Sequence, residues 1–267
     1  MEEMRIYEHR GLHLEYQITG NGTPVIFLHG MGGGLGQIRS VYDKTEGIRL
    51  IIPVMQGHGG SEADWEHYDF DHLGDDVTAL MDGLGLQKAM LAGISMGAGT
   101  ALNIAIRHPE RVTSLLLIRN AWTDRPMEPD VVQAYEDLGR CLREGGLKAF
   151  QKTPGWEIVK EPSAYTRSAF TRPFTDPTEQ KNWQKYLILP RRIPIRDKAE
   201  LKHLRMPVRI LANRHDLCHP FRYGEWMQQQ IPGAVLTEIP DKDTDPAEHR
   251  RQVNEALRDL AQQSSHK

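Results

Sequence analysis

Cysteine is nearly absent from this chain of 267 residues. Cys141 and Cys218 are too few for a disulfide framework and have no metal-ligand spacing between them, so both are expected as free thiols and no metal is implied. Charge of one sign is missing too: a formal net charge of -3 gives no electrostatic reason to expect a nucleic-acid partner. No apolar run approaches the roughly 18 residues of a membrane span, so no membrane partner is expected. The opening Met-Glu-Glu-Met-Arg lacks the basic-then-apolar profile of a signal peptide, and a cytoplasmic location follows as the default. Internal repeats and low-complexity tracts are absent as well. What remains, 39% hydrophobic and 26% charged, is the composition of a soluble globular protein. The length suits one large domain, or a core domain carrying an insertion.

Against that plain background stands one pentapeptide, Gly93-Ile94-Ser95-Met96-Gly97. Lys88-Ala-Met-Leu-Ala92 before it reads as a buried strand, and Ala98 to Arg107 after it is helix-forming until His108-Pro109 stops it. Ser95 therefore sits on a strand-to-helix turn, where a tight, strained backbone would expose its hydroxyl as a candidate nucleophile. A G-x-S-x-G sequence can also be an ordinary loop, and only the flanking strand and helix favour the nucleophile.

Elsewhere the hydropathy pattern divides the chain in three. Arg5–His9 and Leu12–Ile18 alternate apolar and polar residues around Gly11, the signature of an antiparallel hairpin with one wet face. Val25–Leu28, Leu50–Ile52, Met90-Leu91 and Ser114–Ile118 are short, almost wholly apolar runs separated by helical segments, as strands covered on both faces would be. From Trp122 to Arg205 the alternation gives way to tryptophans, prolines and charges with a mildly basic balance, which marks an insertion. Strand and helix resume at Pro207–Ala212 and Ala234–Ile239 and close with a helix from Pro246 to Ala261.

These features together resemble the α/β-hydrolase superfamily, in particular bacterial single-domain members with a helical cap. Phe27-Leu-His-Gly-Met-Gly-Gly-Gly34 is similar to the family's HG motif, and Gln56-Gly-His-Gly-Gly-Ser61 to its R-G-H-G-x-S loop, in the expected order with the pentapeptide. The resemblance implies an α/β fold: a mostly parallel sheet with an N-terminal antiparallel hairpin, helices on both faces, a core of residues 1–121 and 206–267, and a helical cap over 122–205. It also implies an oxyanion hole made by the backbone N–H groups of Met31 and Met96, where a tetrahedral intermediate would place its negative charge. His29 and His58 take structural roles by the same resemblance. The second loop departs from the family, with Val54 and Gln56 at positions usually Asp and Arg, so a common charge pair is lost.

For the acid, Asn213-Arg-His-Asp216-Leu-Cys-His-Pro220 is similar to the family's G-x-x-D-x-x-x-P segment, which assigns Asp216 to orient the base; a helix-capping Asp is the plain alternative. The base is harder to place. Members of the family carry it in a G-H dipeptide after the last strand, whereas here Pro240–Pro246 contains no histidine. His249 is next, and with Val253, Ala256, Leu257 and Leu260 it falls on one face of the closing helix, pointing inward. His249 is therefore the expected base, with His219, a core histidine of no catalytic role, or the loss of the base as alternatives.

The cap would supply the substrate contacts. Gly30, Trp122 and Trp183 are the candidates, Trp156 could join the apolar wall, and Arg125, Arg167, Arg172, Arg191 and Arg192 could meet a carboxylate or phosphate. The expected activity is that of a serine hydrolase, esterase- or thioesterase-like, cleaving a small-molecule carboxylic ester or thioester through an acyl-enzyme on Ser95 without a cofactor. A non-catalytic ligand binder of the same fold, or a different reaction such as C–C cleavage, acyl transfer or cofactor-free peroxidation, is the alternative.

Overall fold

In the computed structural model, which describes residues 3–264, eight strands form one sheet in the order β1-β2-β4-β3-β5-β6-β7-β8. β1 (Arg5–His9) and β2 (Leu12–Thr19) pair antiparallel, and β2 runs antiparallel to β4 (Ile48–Pro53). The remaining neighbours are parallel: β3 (Thr23–Leu28), β5 (Ala89–Ile94), β6 (Val112–Ile118), β7 (Val208–Ala212) and β8 (Val235–Glu238). This is the expected mostly parallel sheet with an antiparallel hairpin at its start. Met1 and Glu2, part of the signal-peptide reading, lie outside the described residues.

The apolar strands are buried on both faces because their alternate residues feed two separate cores. Ile26, Leu28, Leu91, Leu115 and Leu117 enter one, and Val25, Phe27, Met90, Ala92, Leu116 and Ile118 the other. Helices Phe70–Gly83 and Met96–Arg107 cover the first face. The closing helix, Pro246–Ser264, covers the second with Val253, Ala256, Leu257 and Leu260. Each such side chain, once withdrawn from water, contributes about 1.5–3 kcal/mol of transfer free energy. Among the described residues no helix is long and apolar enough to cross a membrane.

Between β6 and β7 the chain makes helices only, among the described residues, including Pro129–Arg143 and Ala164–Thr171. This helical insert docks on the loops at the strands' C-terminal ends. Lys185, fully buried, donates to Gly57 O and to Glu179, each at 2.8 Å, and Tyr186 donates its hydroxyl proton to Glu179. Arg172 reaches down to Gly32 O. The charge pair missing from the second loop is replaced by a neutral amide: Gln56, buried, donates to Asp76 and accepts from Asp64 N–H.

The two glycines of the pentapeptide are required by space. A Cβ on Gly97 would lie 2.2 Å from Leu28 O and 2.8 Å from His29 O, and one on Gly93 2.2 Å from Gly97 O, so main chain would have to move. Gly36, in a short helix, has nothing within 4 Å of a Cβ. Gly97→Ala is expected to lower the unfolding free energy by about 2–3 kcal/mol or more. Gly36→Ala should stay within about 1 kcal/mol of the parent or gain slightly. Urea denaturation reads both, and equal midpoints would contradict this account of the elbow.

Candidate active site

The C-terminal ends of four adjacent parallel strands, β3, β5, β6 and β7, bring the site together. Ser95 follows β5 directly, with φ 55° and ψ -113°, a backbone conformation that costs a non-glycine residue on the order of 1–3 kcal/mol. Its main chain is pinned on both sides, N–H to Ile118 O and C=O from Gly99 N–H, each at 3.0 Å. Its side chain does not cap the helix it precedes. The hydroxyl is thus free to meet a ring, and that ring is His219: Ser95 Oγ and His219 Nε2 are 2.8 Å apart.

His219 Nδ1 lies 2.8 Å from Asp216 Oδ1, completing a continuous Ser95–His219–Asp216 set of hydrogen bonds. Acid and ring sit three residues apart on one turn after β7. The turn is closed by the acid itself, whose Oδ1 also accepts from the N–H groups of Cys218 at 3.1 Å and His219 at 3.2 Å. The helix-capping alternative for Asp216 is not realised: the next helix, Phe221–Gln230, has no side-chain cap, and the two amides the carboxylate takes belong to the turn before it. The other carboxylate oxygen accepts from Arg119 Nε at 2.7 Å. Burial alone would raise the acid's pKa, but Arg119, then His219, hold it well below the usual carboxylate range. An ionised acceptor facing Nδ1 fixes the neutral tautomer as Nδ1–H, which leaves Nε2 to accept the Ser95 proton. Burial pushes the ring below its ordinary value, with Asp216 opposing and Arg119 adding to the depression.

His249 is where the sequence reading needs correction. It does lie on the buried face of the closing helix, but that helix packs on the second face of the sheet. Its Nδ1 donates back to Pro240 O at 2.9 Å, and it stands as a core histidine. The signal for His219 was its spacing from Asp216, since i+3 is the separation at which an Asx-type turn folds a side chain back on the acid. Arg119 carried no signal beyond being a charged residue at the end of an apolar strand.

The loop after β3 lies against the nucleophile: a Cβ on Gly30 would sit 3.3 Å from Ser95 Cβ. Gly30 O accepts from His29 Nδ1 and from Gly33 N–H, each at 2.9 Å. In a trans peptide the Met31 N–H points opposite to that carbonyl, so these two bonds aim it. Met96 N–H is in the first turn of its helix, and among the described residues neither amide has a protein partner. His29 Nε2 accepts from Met55 N–H at 3.0 Å, while His58 donates Nδ1–H to Gln56 O and accepts from Gly32 N–H at 3.1 Å. Both rings hold loops together.

The tryptophans are placed differently from expectation. Trp122 is fully buried, edge-on to Phe70 at 4.9 Å, with no surface to offer a substrate. Trp183 lies under the guanidinium of Arg143, itself 59% exposed, on the solvent side of the insert. Trp156 packs on Phe150. Of the arginines, Arg191 pairs with Glu136, Arg167 with Lys160 O and Arg172 with Gly32 O. Both cysteines are free and buried.

A family model for the alpha/beta hydrolase fold matches residues 23–138. The chain superposes with a TM-score of 0.75 and 22% identity on the enol-lactonase from Burkholderia xenovorans LB400, covering 97% of this chain and 100% of that one. These similarities support membership in the α/β-hydrolase superfamily. Its relatives in sequence include an AB hydrolase superfamily protein of Bacillus subtilis (strain 168), 29% identical over 81% of this chain and 83% of that one. A 2-hydroxymuconate semialdehyde hydrolase of Pseudomonas putida is 29% identical over 81% and 79%. These relatives support a hydrolase role for this chain.

Four buried histidines among the described residues give the protein's stability a sign with pH. Burial lowers His29 to about 4, His58 well below its ordinary value, and His219 and His249 below theirs. Between the folded values and an unfolded value near 6.5, the unfolded chain binds protons that the folded chain refuses. Stability is therefore complete above about pH 6.5 and lost as the pH falls toward 4. Thermal melts from pH 7.5 to 4.5 should show Tm dropping by on the order of 5 °C or more; a constant Tm would contradict these placements.

Proposed function

We propose that this protein is a serine hydrolase of small carboxylic esters or thioesters in which Ser95 is the nucleophile, His219 the base and Asp216 the acid. The observation that carries this reading is the unbroken pair of 2.8 Å contacts, Ser95 Oγ to His219 Nε2 and His219 Nδ1 to Asp216 Oδ1. The helical insert of residues 122–205 acts in this reading as the cap that closes the site.

The chemistry follows from the protons. His219 Nε2 takes the Ser95 hydroxyl proton as Oγ attacks the acyl carbon, and the carbonyl electron pair moves to oxygen. The amides of Met31 and Met96 hold that oxyanion, with the positive end of the Met96–Arg107 helix dipole behind the second. The C–O or C–S bond then breaks, His219 returns its proton to the leaving alcohol or thiol, and an acyl-Ser95 remains. Water, deprotonated by the same ring, releases the acid and restores the serine. Asp216 stays ionised and stabilises the imidazolium.

A fluorophosphonate probe should label the native protein but not Ser95→Ala. On a model ester, His219→Ala is expected to cost about 10³-fold or more in kcat/KM. His249→Ala should cost less than about tenfold, its main effect being about 1 kcal/mol of stability from the lost bond to Pro240 O. Absence of labelling would sink the hydrolase reading, and the opposite ranking of the two histidine variants would return the base to His249.

A further inference from the structure

Arg119 is the one buried cation in contact with the Ser95–His219–Asp216 set among the described residues. It follows the last residue of β6 with φ 49°, and its N–H is pinned to Leu211 O of β7 at 2.8 Å, so the side chain is carried toward the loop that holds Asp216. Nε and Nη2 both bind Asp216 Oδ2, at 2.7 and 2.6 Å, and Nη2 lies 3.3 Å from His219 Nδ1. The guanidinium stacks on the Tyr165 ring from the insert at 4.6 Å.

The distances decide how the protons are arranged. Nδ1 cannot both donate to Asp216 and accept from Arg119, and an ionised oxygen at 2.8 Å prevails over a donor at 3.3 Å. Two donors therefore converge on one carboxylate. At rest Arg119 and Asp216 cancel and the ring is neutral. When the ring takes the serine proton, the cluster becomes net positive, with two cations sharing one anion, where Asp216 alone would have balanced the imidazolium.

The other charged and titratable groups around the ring do not alter that balance. Cys218 and Tyr135, beside Asp216, are held protonated by burial, the thiol pushed up to about 12. Tyr165 and Lys242 face Arg119 from the far side, and His249 lies beyond it, its pKa lowered by burial against the opposing effect of its Pro240 bond.

We propose that Arg119 is a positioning residue of this relay, holding Asp216 so that Oδ1 faces His219 and, by sharing that carboxylate, making His219 a weaker base and a stronger acid than Asp216 alone would make it. The proposal rests on the reading of His219 as the base. Its consequence is a division of labour within one turnover: abstraction of the serine proton is made harder and return of the proton to the leaving group easier.

The pH dependence of kcat/KM on p-nitrophenyl acetate tests it. Arg119→Gln is expected to move the acid limb upward by about one pH unit, the size of effect a charge a few ångströms away exerts. Arg119→Lys, which keeps the charge, should leave the limb closer to that of the parent. A uniform loss of activity at every pH with an unmoved limb in Arg119→Gln would overturn the proposal and leave Arg119 a merely structural residue. NMR titration of the His219 ring in the Ser95→Ala background, with the resonance assigned by its loss in His219→Gln, reads the same shift without catalysis. A ring that shifts upward in a protein with no esterase activity would keep the Arg119 proposal and discard the hydrolase reading. Should Arg119→Gln fail to fold, Arg119→Met, uncharged and close in length, takes its place in the Ser95→Ala titration: a ring midpoint above that of Ser95→Ala alone supports the proposal, and an unmoved one overturns it.

Discussion

The Asp216 carboxylate is the point on which the geometry of the site turns. It is buried, it faces two loops, and its two oxygens have separate duties: Oδ1 gathers two backbone N–H groups and the His219 ring, while Oδ2 takes the guanidinium of Arg119. A buried ion pair of this kind adds little net stability, because desolvation consumes most of its attraction. What it supplies is orientation. Without the acid, the turn after β7 would lose its closure and a guanidinium would be left unpaired in the interior.

The sheet makes that arrangement possible before any side chain is specified. Parallel strands end at the same edge, and β3, β5, β6 and β7 are neighbours there, so the Gly30 loop, Ser95, Arg119 and the Asp216–His219 turn meet within one strip. Close packing does the rest. The pentapeptide's glycines let the elbow helix approach β3 at main-chain contact, and that closeness forces Ser95 into its positive φ. Above the strip, the buried Lys185–Glu179 pair fastens the insert to Gly57 O.

Much of this could be read from residues alone, for identifiable reasons. Strand positions followed from unbroken apolar runs, and Ser95 and Asp216 from local patterns whose conformation is set within a few residues. His249 shows the limit. Periodicity correctly put it on the buried face of its helix, yet burial says nothing about which side of a sheet that helix covers or what its ring meets. His219 depended on a turn that closes only because Asp216 accepts two amides, a conformational fact invisible in composition. Trp122 misled in the opposite direction, since a large aromatic beside a strand end is as well suited to filling a core as to lining a site. Arg119 was illegible because its importance comes wholly from the strand order that sets β6 beside β7.

In the proposed relay acid and base share a single turn, which changes what the end of the chain has to supply. All the members of the proposed relay and both proposed oxyanion amides lie at or before His219, so in that reading β8 and the helix behind it contribute no reacting group. The Pro240–Asp245 connection still answers to its neighbours: Asp241 accepts from Asn213 and meets His215 at 2.9 Å on the loop of Asp216, and Asp243 accepts from Tyr165 N–H at 2.8 Å. In that reading the closing helix delivers no ring to Ser95, and its His249 serves the fold through the bond to Pro240 O.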